Sequence, residues 1–145
     1  MSLFSSLSVS ASGMAAQRAR AALLVENLAN ADTTRTPEGG PYRRKDAVFA
    51  ADPVTSPFSN EFANAIGGEG TGVRVADVVE DTAAPDRRYM PGHPDADAEG
   101  YVLFPHVNPA EDMVDLMSAS RSYEANVAAV SVTKDMISHT IDLLR

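Results

Sequence analysis

The sequence contains no cysteine, few basic residues and no long apolar run. Without cysteine there can be no disulfides, no thiolate catalysis and no cysteine-ligated zinc or iron–sulfur centre. Twelve lysines and arginines against 20 acids give a net charge of -8. That excess of acid argues against a nucleic-acid partner, because phosphate binding requires a basic face. No stretch approaches the roughly 20 apolar residues of a membrane-spanning helix.

The first residues lack the basic segment and the apolar run of a secretory signal peptide. We therefore expect that, if the protein leaves the cytoplasm, it is exported without a cleaved Sec signal. A chain without cysteine can also enter an oxidising compartment without mispairing.

Three parts of the chain differ in charge and in sequence pattern. Residues 1–30, 31–108 and 109–145 carry net charges of +1, -6 and -3, which together give -8. We predict an α+β fold in which the first part is an N-terminal helix and the last is a heptad helix. The two helices are expected to pair as an antiparallel coiled coil, and the middle part is expected to be a small inserted β-rich domain with long loops.

The C-terminal part has the clearest helix signals. Asn108 is a good N-cap, Pro109 suits the first helical position, and Glu111 can return a capping hydrogen bond. A helix of about 36 residues is roughly 54 Å long, so it must pack against another long element or another chain. Its heptad seam alternates steps of three and four residues. The seam consists of Met113, Leu116, Ser120, Tyr123, Val127, Val130, Lys134, Ile137, Ile141 and Leu144.

The N-terminal part is the expected partner of that helix, although it is a weak helix by itself. Leu24 and Leu28 lie on one apolar stripe, and most of the remaining residues are alanine and serine. Gly13 within a helix costs about 1 kcal/mol relative to alanine, and serine lowers helix propensity further. We expect this segment to be marginal in isolation and to form when it docks.

The middle part is rich in glycine, proline and turns. Short apolar runs at 47–49, 73–79 and 101–104 predict strands, whereas 53–72 has no firm period and is predicted to be loop. The acidic stretch 95–100 resembles the start of an EF-hand loop, but the twelfth position is His106 and not an acid. An acidic hairpin turn is the favoured interpretation.

Signatures of catalysis are missing. The sequence has no G-x-S-x-G elbow, no phosphate-binding loop and no G-x-G-x-x-G after a strand. The three histidines share no metal-ligand spacing. We therefore expect no enzyme activity, no cofactor and no small-molecule substrate.

The sequence has two clusters of basic residues, one at Arg43, Arg44 and Lys45 and the other at Arg87 and Arg88. Such a cluster is either solvated surface charge or a docking patch for an acidic neighbour. The acidic middle part of another subunit could supply that neighbour.

Three blocks of sequence resemble the axial protein family of the bacterial flagellum, whose members build the rod, the hook and the hook–filament junction. The first block contains the Asn-rich helix end Asn27-Leu28-Ala29-Asn30-Ala31 and continues through Thr33–Thr36 to the Gly-Gly-Pro-Tyr-Arg-Arg-Lys stretch ending at Lys45. The other two blocks span residues 91–102 and 107–127. The resemblance covers most of the chain and is strongest to the basal-body rod proteins.

The resemblance implies a structural subunit of the proximal rod, part of the drive shaft that crosses the periplasm. It also implies export through the flagellar type III apparatus and assembly at the tip of the growing structure. The implied partners are other copies of the chain, other proximal rod proteins, the distal rod, the rod-to-ring adaptor and the membrane-embedded ring.

Residues at the helix seams and in the basic block are the expected assembly interface. They are Leu24, Asn27, Leu28, Asn30, Thr33, Thr34, Arg35, Arg43, Arg44, Lys45, Met113, Leu116, Tyr123, Val127, Val130, Ile137, Ile141 and Leu144. The alternative function is a soluble helical binding module or an accessory protein of the export apparatus. A stable, monodisperse fold in dilute solution would favour that alternative.

Overall fold

The computed structural model describes residues 3–53 and 71–143, and the fold is α+β. Most of the predicted loop 53–72, and Leu144 of the predicted interface, lie outside the described residues. Along the sequence, one long helix precedes four strands and a second long helix follows them. The elements are α1 (Leu3–Ala29), β1 (Lys45–Pro53), β2 (Thr71–Glu80), β3 (Asp86–Tyr89), β4 (Tyr101–Phe104) and α2 (Pro109–Asp142).

The strands form two antiparallel hairpins. β1 pairs with β2, and a bulge between Val48 and Phe49 shifts the register. β3 pairs with β4, from Asp86 opposite Phe104 to Tyr89 opposite Tyr101. The predicted apolar runs therefore correspond to β1, β2 and β4, whereas the charged strand β3 was not predicted.

The acidic stretch 95–100 lies in the connection between β3 and β4, as the hairpin interpretation predicted. One Asp97 carboxylate oxygen accepts hydrogen bonds from the backbone amides of Glu99 (3.0 Å) and Tyr101 (2.8 Å). Gly100 completes the turn with a φ of 82°, which glycine adopts readily. The aspartate thus shapes the turn.

The start of α2 follows the sequence signals. The side chain of Asn108 accepts a hydrogen bond from the amide of Ala110, and Pro109 occupies the first turn. Glu111 and Asp112 place negative charge near the positive end of the helix dipole.

The β1–β2 hairpin is fastened to α1 through Ser12. Its hydroxyl donates to the carbonyl of Val9 (2.7 Å) and accepts a hydrogen bond from the amide of Val73 (3.1 Å). Gly72 permits this approach, because a Cβ there would lie 2.9 Å from the Ser12 hydroxyl.

Contacts between the two helices follow opposite chain directions. Gly13 of α1 lies against Asn126 of α2, and Arg20 forms an ion pair with Asp115 at 3.2 Å. The contacting face of α2 includes the buried Ala119 and Asp112. Small residues on both helices therefore meet at this contact.

The predicted orientation of the heptad seam was wrong for several of its residues. Leu116, Val130 and Ile137 are half-buried, but Met113, Tyr123, Val127 and Ile141 are exposed. The reason is the partner surface: Gly13 of α1 leaves room for Asn126, and Arg20 pairs with Asp115, and neither of these α2 residues belongs to the seam. Much of the larger apolar surface of α2 is consequently left exposed to solvent in the single chain.

Candidate assembly interface

Asn27, near the end of α1, is the centre of a buried hydrogen-bond cluster. Its side chain is 0% exposed. Its amide nitrogen donates to the carbonyl of Lys45 at 2.9 Å, and its oxygen accepts from the amide of Lys45 and from the hydroxyl of Tyr42, both at 2.9 Å. The asparagine therefore joins the end of α1 to the start of β1. Burial and the negative charge of nearby Glu26 raise the pKa of Tyr42, which keeps its hydroxyl a donor.

Asn30 and Thr33 close the end of α1. The amide nitrogen of Asn30 donates to the carbonyl of Glu26 at 2.9 Å, and the hydroxyl of Thr33 donates to the Asn30 side-chain oxygen at 3.1 Å. The backbone amide of Tyr42 then donates to the carbonyl of Thr33 at 3.0 Å. The chain thus folds back on itself between Thr33 and Tyr42.

Two glycines make this reversal possible. Gly39 and Gly40 have φ values of 91° and 83°, in the left-handed region that other residues rarely adopt. The amide of Thr36 donates to the carbonyl of Gly40 at 2.8 Å, and the amide of Gly39 donates to the carbonyl of Thr36 at 3.0 Å. The Gly-Gly-Pro of the sequence therefore forms a closed loop.

Thr34 and Arg35 contact the acidic connection between β3 and β4. The hydroxyl of Thr34 donates to Asp95 at 2.8 Å, and Arg35 lies 3.6 Å from the other oxygen of the same carboxylate. Arg35 itself is largely exposed. The connection between β3 and β4 is consequently held against the segment that follows α1.

The three basic residues of the first block lie in three different environments. Lys45 contacts Glu26 at 2.7 Å, and the hydrogen bond to that carboxylate raises the pKa of the lysine. Arg44 is half-buried, 3.0 Å from Asp112 and 3.5 Å from Asp46. Arg43 is exposed.

The prediction that all three bases point toward a neighbouring subunit is therefore wrong for Arg44 and Lys45. Both side chains reach acids of their own chain. They do so because Asn27 fixes the backbone of Lys45 beside α1, which brings Arg44 and Lys45 within reach of Asp112 and Glu26. Arg43, between Tyr42 and Arg44, keeps the exposure expected of a docking residue.

Asp112 is the least expected residue of this region. Its side chain is 1% exposed and forms an ion pair with Arg44. Neither of its carboxylate oxygens accepts a hydrogen bond from the described residues, although Arg44 is only 3.0 Å away. The short distance between Arg44 and Asp112 therefore reflects charge attraction without the alignment of a hydrogen bond. Nothing in the sequence pattern indicated that Asp112 is buried.

The outer side of α2 carries exposed apolar residues along most of its length. Val127 is 45% exposed and Ile141 58% exposed. Large exposed apolar surface of this kind commonly marks a protein contact. The described part of the chain has no helix that is both long and apolar enough to span a membrane. The larger exposed apolar residues of α2 are Met113, Val114, Met117, Tyr123, Val127, Val132, Met136, Ile141 and Leu143.

Comparison with known proteins gives a consistent result. Residues 98–143 match the family described as "Flagellar basal body rod FlgEFG protein C-terminal". The chain is 42% identical to the flagellar basal-body rod protein FlgC of Borreliella burgdorferi, over 100% of this chain and 99% of that protein. It is 43% identical to FlgC of Bacillus subtilis, over 99% of both chains. The FlgC of Aquifex aeolicus is 36% identical over 98% of this chain and 97% of its own.

This chain belongs to the FlgC family of flagellar basal-body rod proteins. As a member of the FlgC family it is a structural component of the rod and not an enzyme. It belongs in the flagellar basal body, and it assembles with other rod components.

Proposed function

We propose that the chain is a subunit of the proximal rod and polymerises through its terminal helices into the shaft that transmits motor torque across the periplasm. In this proposal residues 1–30 and 109–145 form an antiparallel coiled-coil domain, and residues 31–108 form a β-rich domain inserted between them. The opposite order of the Gly13–Asn126 and Arg20–Asp115 contacts supports the antiparallel pairing.

The exposed apolar face of α2 carries the proposal. Burial of apolar surface contributes about 25 cal/mol per Å², so covering this face in a polymer is strongly favourable. Met113, Tyr123, Val127 and Ile141 contribute to it together with other residues of α2. The predicted seam is thus divided: half-buried Leu116, Val130 and Ile137 stabilise the chain, and the exposed members contact neighbours.

Residues 31–45 belong to the proposed interface through their exposed groups. Arg35 and Arg43 project from the surface. Asn27, Asn30 and Thr33 have a different role, since their hydrogen bonds hold the segment in one conformation from which these arginines project.

The proposed partners follow from the position in the rod. They are other copies of the chain, other proximal rod proteins, the distal rod, the rod-to-ring adaptor, the membrane-embedded ring and, during delivery, the type III export apparatus. Export through the type III apparatus is part of the proposal and agrees with the absence of cysteine.

Val127→Asp tests the proposal. Because Val127 is exposed in the single chain, the aspartate should leave the unfolding of the monomer nearly unchanged, within about 0.5 kcal/mol. In a polymer it would bury an unpaired charge. We expect normal secretion with a severe loss of basal bodies and of motility, measured by secretion assay, basal-body yield and swimming.

Two variants control this experiment. Val127→Met keeps the site apolar and should assemble. Ile137→Asp lies on the half-buried side and should lower both monomer stability and assembly. Normal motility of Val127→Asp would show that this face of α2 is not an interface.

A further inference from the structure

We propose that Asp112 is a proton-operated lock at the junction of α1, β1 and α2, which tightens when the carboxylate is protonated and loosens when it is charged. The lock lies within the single chain and does not depend on how subunits assemble. It places a pH-sensitive element inside a structural protein.

The first observation is the position of the carboxylate. Asp112 lies in the first turn of α2, is 1% exposed, and is held against Arg44 at the start of β1. The next residue, Lys45, has both its backbone amide and its carbonyl bound by Asn27 of α1. Asp112 of α2 thus contacts the segment that Asn27 binds to α1.

The second observation is the incomplete compensation of the charge. Neither oxygen of Asp112 accepts a hydrogen bond from the described part of the chain, and the Nε of Arg44 is likewise buried without an acceptor there. Buried charges ordinarily require both pairing and hydrogen bonds. Arg44, which contacts Asp112, is also shared with Asp46 at 3.5 Å.

Acids predominate among the charged groups that face Asp112. Arg44 is its cationic contact, and Arg20 of α1 is paired with Asp115, one turn further along α2. Acidic groups contribute from its own helix and from β1, and the Tyr42 hydroxyl lies close by. The facing groups are Tyr42, Arg44 and Asp46 on the β1 side and Glu111 and Asp115 on α2, and from α1 Arg20 binds Asp115.

The direction of titration agrees with the geometry. Burial raises the pKa of Asp112 above its usual 3.8, Arg44 opposes that rise, and the charges of Asp46, Asp115 and Glu111 add to it. A carboxyl that binds its proton more tightly in the folded than in the unfolded state stabilises the fold when protonated. This contribution is complete below the unfolded pKa and is lost as the pH rises through the folded pKa.

A titration of the full-length chain in dilute solution tests the proposal. The side-chain carboxyl carbon of Asp112, assigned by triple-resonance NMR, should titrate above pH 3.8. In Arg44→Gln it should titrate at still higher pH, because the opposing cation is removed. An Asp112 that titrates at or below 3.8 in the parent chain would overturn the proposal, and so would a pKa that falls in Arg44→Gln.

Thermal unfolding supplies a second, independent readout. Acidification affects every carboxylate, so the useful quantity is the Tm of the parent minus that of Asp112→Asn at each pH. We expect this difference to rise as the pH is lowered from 7 toward 4. A difference that is constant, or that falls on acidification, contradicts the lock. If Asp112→Asn fails to fold, the NMR titration of the parent chain still decides.

Discussion

Asn27 concentrates three hydrogen bonds on one fully buried side chain, and its partners are all polar groups of residues 42–45. Asn27→Leu keeps a similar volume but orphans the hydroxyl of Tyr42 and the amide and carbonyl of Lys45. Each buried group left unsatisfied costs about 1–3 kcal/mol. With three groups left unsatisfied, we expect a loss of at least about 3 kcal/mol in the free energy of unfolding, measured by urea denaturation.

Tyr42→Phe and Asn30→Ala calibrate this prediction. The first removes one hydrogen bond of the cluster and should cost about 1 kcal/mol. The second removes side-chain bonds local to the end of α1 at a half-buried position, so it should also cost less than Asn27→Leu. If Asn30→Ala proves as damaging as Asn27→Leu, the cluster is not centred on Asn27.

The sequence predicted an asparagine-rich helix end but could not distinguish its two asparagines. α1 does end at Ala29. Which asparagine turns inward depends on the docking of β1, a contact 18 residues away along the chain. The same limit applies to Asp112, whose burial depends on Arg44. Local patterns identify residue types at an element's end, whereas tertiary contacts decide their burial.

At the scale of elements, the contact between Gly13 and Asn126 determines how closely α1 and α2 approach. Glycine to alanine within a helix ordinarily stabilises it by about 1 kcal/mol. Here the added Cβ would lie 3.0 Å from the side-chain oxygen of Asn126. We expect Gly13→Ala to destabilise the chain or to yield none of the usual gain, as measured by urea denaturation.

The double variant Gly13→Ala/Asn126→Ala is the matched control. Removing the asparagine side chain relieves the contact, so the double variant should be more stable than the sum of the two single changes predicts. A double-mutant cycle measures this coupling. Additive effects would mean that the two residues do not restrict the approach of the helices.

Helix starts were more predictable than helix faces. The cap of α2 is encoded within a few residues, and Asn108 caps the helix as expected. The heptad seam did not identify the face toward α1, because Gly13 and Arg20 of α1 contact Asn126 and Asp115, which lie outside the seam. β3 was missed for a related reason: its exposed sequence Asp-Arg-Arg-Tyr has no apolar alternation, and pairing with β4 provides the order.

At the scale of the whole molecule, some residues stabilise the fold and others are exposed and free to contact neighbouring subunits. Arg43 and Arg44 illustrate this difference. Arg44 is half-buried and contacts Asp112, whereas Arg43 is exposed. Arg44→Ser would leave the buried carboxylate of Asp112 without its cation. The cost of breaking such a pair reaches about 3–5 kcal/mol when both partners are fully buried. Because the Arg44 side chain keeps 21% of its surface exposed, we expect a smaller loss, of about 1–3 kcal/mol.

Arg43→Ser should affect assembly and not the stability of the free chain. The free chain should unfold as the parent does, because an exposed side chain contributes within about 0.5 kcal/mol. An exposed ion pair with a neighbouring subunit is worth only about 0–1 kcal/mol, but a polymer repeats it at each equivalent contact. We therefore expect normal secretion and reduced incorporation into basal bodies.

Arg43 and Arg44 differ in environment but not in charge, so Arg44→Ser controls for the loss of a base. In the parent, higher salt should weaken incorporation by screening the pair, and Arg43→Ser should respond less. If secretion of Arg43→Ser falls while the secreted protein assembles normally, the basic segment acts in export, and its role as a docking residue is wrong.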